Sequence, residues 1–564
     1  MKKLRWQILI AIIAVGAVAL LLFGQRIDPV SPNTTGQQQS SGIYVEGLVG
    51  TPLRFNPLLD HYNQVDRDID RLIYSQLIRF DSWGNPQPDL AQSFGVSING
   101  DIYNIQMREN AVWHDGVPVT TADVMFTIGL MRNAEMPIPA DVVELWNSVE
   151  VVAFDALNLQ IRLTEPFAPF IDYLAFKVLP AHILSNLTPD QLINDSFNLQ
   201  PIGTGPYQLT ELRTEDGQIT GVVLEAFDDY YLGAPRLEQI AFRYFSNTED
   251  ALAAYRRGEI LGIGEIGLDA IDAVLSEPDL NVYSVRLPEI TMVLFNLNNP
   301  DVAYFQEADV RKAMYLALNR PWMIDQAVDG QAMIAHGPIL AGTWAYYDGL
   351  QKYDYDPEQA ISLLRGADYG MGADGLVREK EGVRLEFDLV FPDTLVHTKL
   401  VALIQKYWGA IGVSINPIPV PADVLTRDYL ATHNYEAALV DLNLTESPDP
   451  DPYPFWHQAM IANGQNYSQW DDRRASEYLE NARVTPNRAE RTRLYKNFQI
   501  HFSRELPALP LFSPVYNYAV DSEISGVQIG PLYDPSHRFD NIIDWSLEEA
   551  PQIDEMIVEP AIEE

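Results

Sequence analysis

LEFDLVFPDTLVHTKLVALIQKYWGAIGVSINPIPV, residues 385–420, decides the fold class. Apolar and polar residues alternate through LEFDLV (385–390), the period of a half-buried strand. A helical pattern follows from near Lys399 to Ala410, and VSINPIPV (413–420) again reads as a strand. Strand, helix, strand in that order is a βαβ unit, which joins parallel neighbours in one sheet. Other helices are announced by their ends. In DPEQAISLLRG, Asp356 suits an N-cap, Pro357 the first helical position and Gly366 the close. Thr485 and Pro486 repeat that start signal, and Leu494, Phe498 and Phe502 then recur on one face. In DVRKAMYLALNR, Val310, Ala313, Met314, Ala317 and Leu318 have the spacing of a packed helix. Short alternating runs, YNIQM (103–107) and LQIRL (159–163), predict hairpin strands in a separate region. The class is therefore α/β with an added antiparallel portion.

A chain of 564 residues exceeds what one core organises, so at least two lobes are expected. Its 47% hydrophobic and 21% charged residues are ordinary globular values. The 11% aromatic content, with 28 Tyr and 10 Trp, fills cores and also suits flat ligand contacts. Lys and Arg number 38 against 78 Asp and Glu, a formal charge of −40. A field of that sign repels phosphate backbones and argues against nucleic acid and anionic lipid as partners. Cysteine is absent, which removes disulfides, thiolate metal sites, cysteine nucleophiles and a lipid-bearing cysteine together.

The N-terminus supplies an address. Lys2, Lys3 and Arg5 precede an uncharged apolar run from Ile8 to Phe23, the pattern of an export signal. The only small-x-small site, Ala17 to Ala19, lies inside that run, which favours a retained anchor over a cleaved signal. Either way the remainder is exported. Residues 1–24 are read as signal or anchor, 25–42 as a flexible linker and 546–564 as an acidic, disordered tail.

Catalytic signatures are missing. The chain holds no HExxH, GxSxG or GxxxxGK[ST] string. A GxGxxG string at Gly262, Gly264 and Gly267 follows a helical stretch, whereas a dinucleotide fingerprint needs a strand before it. The nine histidines are scattered without helix-face pairing, so no metal or other cofactor is expected.

Another stretch, MRENAVWHDGVPVTTADVMFT (107–127), reads physically as a strand end, an Asp115-Gly116 turn, Pro118, and Thr121 capping a helix. As a string it closely resembles the signature of the family 5 bacterial extracellular solute-binding proteins. DSWGNPQPDLAQSF (81–94), EPFAPFIDYLAFKVLPAHIL (165–184), PIGTGPYQL (201–209) and FDDYYLGAPRLEQIAFRYF (227–245) are similar in order and spacing. LFNLNNP (294–300) and LPALPLF (506–512) follow, so that the resemblance spans roughly 43–545.

The resemblance implies a two-lobed, periplasmic-binding-protein-like α/β fold of the type II, large peptide-binding class, with a small α+β accessory domain. Lobe I would take 43–80, 191–285 and 506–545, the accessory domain 81–190, and lobe II 286–505. It implies an extracytoplasmic, monomeric binding protein that encloses a peptide or similar solute by hinge closure and delivers it to an ABC permease. A sensing receptor on the same fold and an exported hydrolase are the alternatives. A carboxylate for the ligand's α-amine is the family's characteristic contact, and the matching segment is LVDLNLTESPDPDPYPFW (439–456). Asp449 is the first candidate, with Asp451 and Asp441 behind it, because the doubled DPDP leaves the register open. Phe295 and Asn296 match the segment near hinge and cleft, and Tyr453 and Trp456 are candidates for stacking on the ligand.

Overall fold

A computed structural model describes residues 42–547 apart from 216 and 445–447. The expected anchor, linker and nearly all of the acidic tail lie outside the described residues. Among those described, no helix is long and apolar enough to cross a membrane.

The βαβ unit is present. Glu386–Pro392 pairs in parallel with Ser414–Val420, and the helix Leu395–Ala410 makes the crossover. Thr394 caps that helix by accepting from the His397 amide. These strands form one end of a twelve-stranded sheet. Ala437–Asn443 and Glu289–Phe295 come next, and then Ala508–Asp521. The order continues through Gly262–Ile263, Ile43–Val49, Gln239–Phe245, Gln218–Ala226 and Tyr207–Glu215.

The 14-residue strand Ala508–Asp521 is shared by both halves of that sheet. Its first part pairs with Glu289–Phe295, while Val515–Asp521 pairs with Leu280–Arg286. The chain thus crosses between the halves twice, side by side, with Leu287 and Pro288 opposite Pro514. Prolines at both positions remove ladder donors where the two halves meet.

Each half has its own core. Along Glu289–Phe295 the side chains alternate between two apolar layers, Ile290, Met292 and Leu294 on one face and Val293 and Phe295 on the other. The helix carrying Val310, Ala313 and Met314 runs from Ala308 to Leu316 and packs into the second layer. Leu494, Phe498 and Phe502 pack into the first from the helix Arg488–Glu505. That helix starts two residues beyond Pro486, capped by Asn487. Tyr44, Leu72, Phe242 and Trp545 belong to a separate core on the other half. A four-stranded antiparallel sheet, in the order Ala91–Val96, Ile102–Met107, Asn158–Arg162, Glu150–Ala153, carries a further core around Trp113 and Trp146.

One local expectation shifts here. The cap of the helix Thr121–Met131 is Thr120, one residue early, because Asp123 closes a reciprocal capping box with it. The Thr121 hydroxyl donates instead to the Asp155 carbonyl. The GxGxxG glycines are explained by packing. A Cβ on Gly262 would sit 2.0 Å from the Tyr44 hydroxyl, and one on Gly264 would strike Leu48 at 2.4 Å.

That crowded region surrounds a buried ionic cluster. Arg538 has no exposed surface and donates to Glu46 at 2.7 Å and to Asp68 at 2.7 and 2.8 Å. The other Glu46 oxygen accepts from the Tyr44 and Tyr518 hydroxyls at 2.7 and 2.8 Å. The cluster ties the first strand, the helix Gln64–Ile73, the crossing strand and the C-terminal segment to one point. Removing the cation from a buried cluster costs about 3–5 kcal/mol. Arg538→Met is therefore expected to lower the unfolding free energy obtained from urea titration by about that amount; an unchanged value would show that the carboxylates reach water.

Candidate functional site

A cavity of about 480 Å³ opens between the halves of the molecule, within the range that encloses a small solute. Three groups of residues wall it. Asp60, Arg67, Arg71 and Asp534 contribute charge. Ile138, Val142, Trp146 and Phe176 contribute an apolar face. Pro448, Asp449, Pro450, Asp451, Pro454 and Phe455 close it from the remaining side.

Of the expected site residues, Asp449 and Asp451 are brought to this cavity; both already hold an arginine. Asp449 is buried and lies 2.5 Å from Arg491 Nη1, and it accepts from the Tyr495 hydroxyl at 3.3 Å. Burial works to lower the pKa of Arg491, but Asp449 and Tyr495 beside it hold the guanidinium above its ordinary value. Asp451 accepts from Arg483 at 2.6 and 3.0 Å in a bidentate pair.

The structure places the other five elsewhere. Asp441 pairs with His397 at 3.0 Å and accepts from the Thr291 hydroxyl at 2.6 Å. Burial acts to raise its pKa, yet these two partners hold the carboxyl below the ordinary range. Phe295 is a core residue packed on Phe305, since strand alternation points it into the apolar layer. Asn296 is buried, donating to the His433 and Tyr435 carbonyls and accepting from Gln469 at 2.6 Å. Trp456 lies edge-on to Phe502 in a core. Tyr453 stacks on His457 at 4.0 Å and lies 3.8 Å beneath Arg483, so both faces of its ring are covered.

The segment that carries Asp449 also bridges to the residues around the small sheet. The Asp449 amide donates to Asp172 at 2.7 Å. Arg488 donates to Asn85 Oδ1 at 2.5 Å and to the Trp83 and Gly84 carbonyls at 3.3 and 3.2 Å. Trp344 lies 4.7 Å from the Arg488 guanidinium, and Arg483 lies 5.3 Å from the Phe167 ring. These directional contacts join the segment that carries Asp449 and the helix Arg488–Glu505 to the residues around the small sheet.

Lys177 and Asp60 were not foreseen. They meet at 3.4 Å on the charged wall although 117 residues separate them. EPFAPFIDYLAFKVLPAHIL, which contains Lys177, was recognisable as a segment, but nothing in it indicated where an isolated lysine would point.

The chain matches the family described as bacterial extracellular solute-binding proteins, family 5 Middle, over residues 85–464. It belongs to that family. It is similar to the oligopeptide-binding protein AppA of Bacillus subtilis, with 25% identity over 522 residues, covering 91% of this chain and 93% of the relative. Among solved structures, HbpA2 from Haemophilus parasuis superposes with a TM-score of 0.78 at 20% identity, covering 90% of this chain and all of that one. NikZ from Campylobacter jejuni, solved with Ni(L-His), gives a TM-score of 0.68 at 24% identity over 90% of this chain and 99% of its own. The two-lobed periplasmic-binding architecture is thereby established, and the protein is a solute-binding protein.

If Asp449 and Arg491 form one coupled unit, Asp449→Ala and Arg491→Met should each cost about 3–5 kcal/mol of stability. The double variant should then lose clearly less than the sum of the single losses. Denaturant titration of all four proteins measures this, and additive losses would sever the pair.

Proposed function

We propose that the chain is the extracytoplasmic substrate-binding component of an ABC importer, and that its solute is a short peptide. The observation that carries this reading is the cavity between two halves joined by paired crossing strands. Rotation about Leu287–Pro288 and Pro514 opens it without disturbing either core, which is hinge closure. Opening would break the Arg488 and Asp449–Asp172 contacts, so a ligand that bridges both walls favours the closed form.

Size and lining narrow the solute. The cavity of about 480 Å³ is of the size that takes a small solute. One wall is apolar and aromatic, the other charged, which suits a peptide bearing both side chains and charged termini. Native mass spectrometry of protein purified without refolding is expected to reveal a heterogeneous set of short peptides. A single metal chelate or oligosaccharide in their place would overturn the peptide assignment.

The N-terminal run Ile8–Phe23 is taken as the membrane anchor of an otherwise exported monomer. Retained protein should sediment with membranes and carry its complete N-terminus. Release of a chain lacking residues 1–24 would replace anchoring by cleavage.

A further inference from the structure

The crossing between the two halves carries a cation without a counter-charge. Arg286 ends the strand Leu280–Arg286, immediately before Leu287–Pro288, and is 6% exposed. Its Nε donates to the Ala341 carbonyl at 3.0 Å and its Nη1 to the Leu287 carbonyl at 2.9 Å. Nη2 is buried and has no hydrogen-bond partner among the described residues. The titratable group this guanidinium faces is not a carboxylate but the Tyr533 hydroxyl, itself buried and without a partner. Burial pulls the Arg286 pKa down to about 10, so the charge persists at neutral pH. A buried cation in that state is costly, because two neutral carbonyls replace only part of its hydration.

The groups around it come from both halves. Tyr533 follows Leu532, which packs in the core of Tyr44 and Trp545. Ala341 follows Leu340, which packs in the core of Leu294 and Val440. The bond from Arg286 to Ala341 therefore spans the join. Tyr533 is covered at Gly84, where a Cβ would lie 2.9 Å from its hydroxyl, 3.3 Å from Pro448 and 3.4 Å from Trp344. Trp344 packs against the same core as Leu340 and donates to the Pro448 carbonyl at 3.1 Å. The cover over Arg286 and Tyr533 is thus assembled from two bodies.

We propose that Arg286 biases the unliganded protein toward the open form, because its guanidinium loses water without gaining a counter-charge when the halves meet. Closure strips hydration from the cation, and the bound solute supplies the free energy that offsets this cost. A neutral side chain at 286 removes the opposition, so the closed form gains population before any ligand arrives. Apparent affinity scales with the population of the binding-competent form, so loss of this cation tightens binding. A residue that served closure would do the reverse. The bias rests on the hinge closure read above and not on the chemistry of the solute.

The chain has no cysteine, so spin labels can be placed at chosen positions. Ile98, 96% exposed, lies between the strands Ala91–Val96 and Ile102–Met107 of the small sheet. The core of that sheet shares Leu58 and Ile202 with the core of Tyr44 and Trp545. A Cβ on Gly100 would lie 2.6 Å from Pro486, just ahead of the helix Arg488–Glu505 of the other half. Labels on cysteines at Ile98 and the exposed Ala489 therefore sit on the two sides of one contact. Double electron–electron resonance is read on the full chain freed of solute, with native mass spectrometry confirming that none remains. The wild type should show mainly the long distance. Arg286→Met and Arg286→Gln should each raise the short-distance fraction about ten-fold, while Arg286→Lys, which keeps the charge, stays with the wild type. A fraction unchanged or lowered in both neutral variants, or raised equally in Arg286→Lys, would overturn the bias alone. A wild type fixed at the short distance would overturn hinge opening and the bias with it.

Discussion

Everything in this molecule hangs on the strand Ala508–Asp521 being long enough to belong to two halves of one sheet. Its ladder to Glu289–Phe295 fixes one lobe, and its ladder to Leu280–Arg286 fixes the other. Because both crossings lie side by side, the lobes have a single axis about which to move, and the cavity inherits that axis. The buried cores on either side are separate clusters, with Leu268 reaching from one half onto the core of the other. Stability and mobility are thereby assigned to different places: packing within each lobe, backbone pairing between them.

The acidic composition is resolved into pairs where it meets the cavity. Asp449, Asp451 and Asp534 each have an arginine within 2.5 to 2.9 Å. A net charge of −40 thus says little about what the cleft attracts, since most of that charge is spread over the remaining surface. What distinguishes one wall from another is whether its carboxyls are matched by cations of the protein itself. Only local counting of donors and acceptors reveals that, and composition cannot.

The fold was legible because its signals are local. The alternation in LEFDLV, the helix after it and the strand VSINPIPV lie within 36 consecutive residues, and they form the parallel unit they predict. YNIQM and LQIRL pair as antiparallel strands for the same reason. The cap at Thr120 was misplaced by one because two threonines adjoin, and only the reciprocal bond to Asp123 selects between them. The glycines at 262 and 264 imitated a nucleotide motif because the Tyr44 and Leu48 side chains that demand them lie more than 200 residues away. The site suffered most from this limit. The DPDP segment reached the cavity as its order in the chain suggested, but Phe295 and Trp456 are consumed by cores whose layers only the assembled sheet defines. Asp60 and Lys177 come from two segments with no shared pattern, so no spacing could link them.

The buried ionic contacts have a common position in the chain. Arg538 reaches Glu46 across 492 residues, and Lys177 reaches Asp60 across 117. Arg491 reaches back to Asp449 from the helix that follows the cavity loop. The first two join segments that lie far apart in the chain. Apolar packing tolerates many arrangements of similar volume, so it is poorly suited to decide which returning segment lies beside which. A buried guanidinium accepts few, because any other placement leaves a charge unpaired in a dry interior. The cost of burying these charges is therefore set against the selection of one threading.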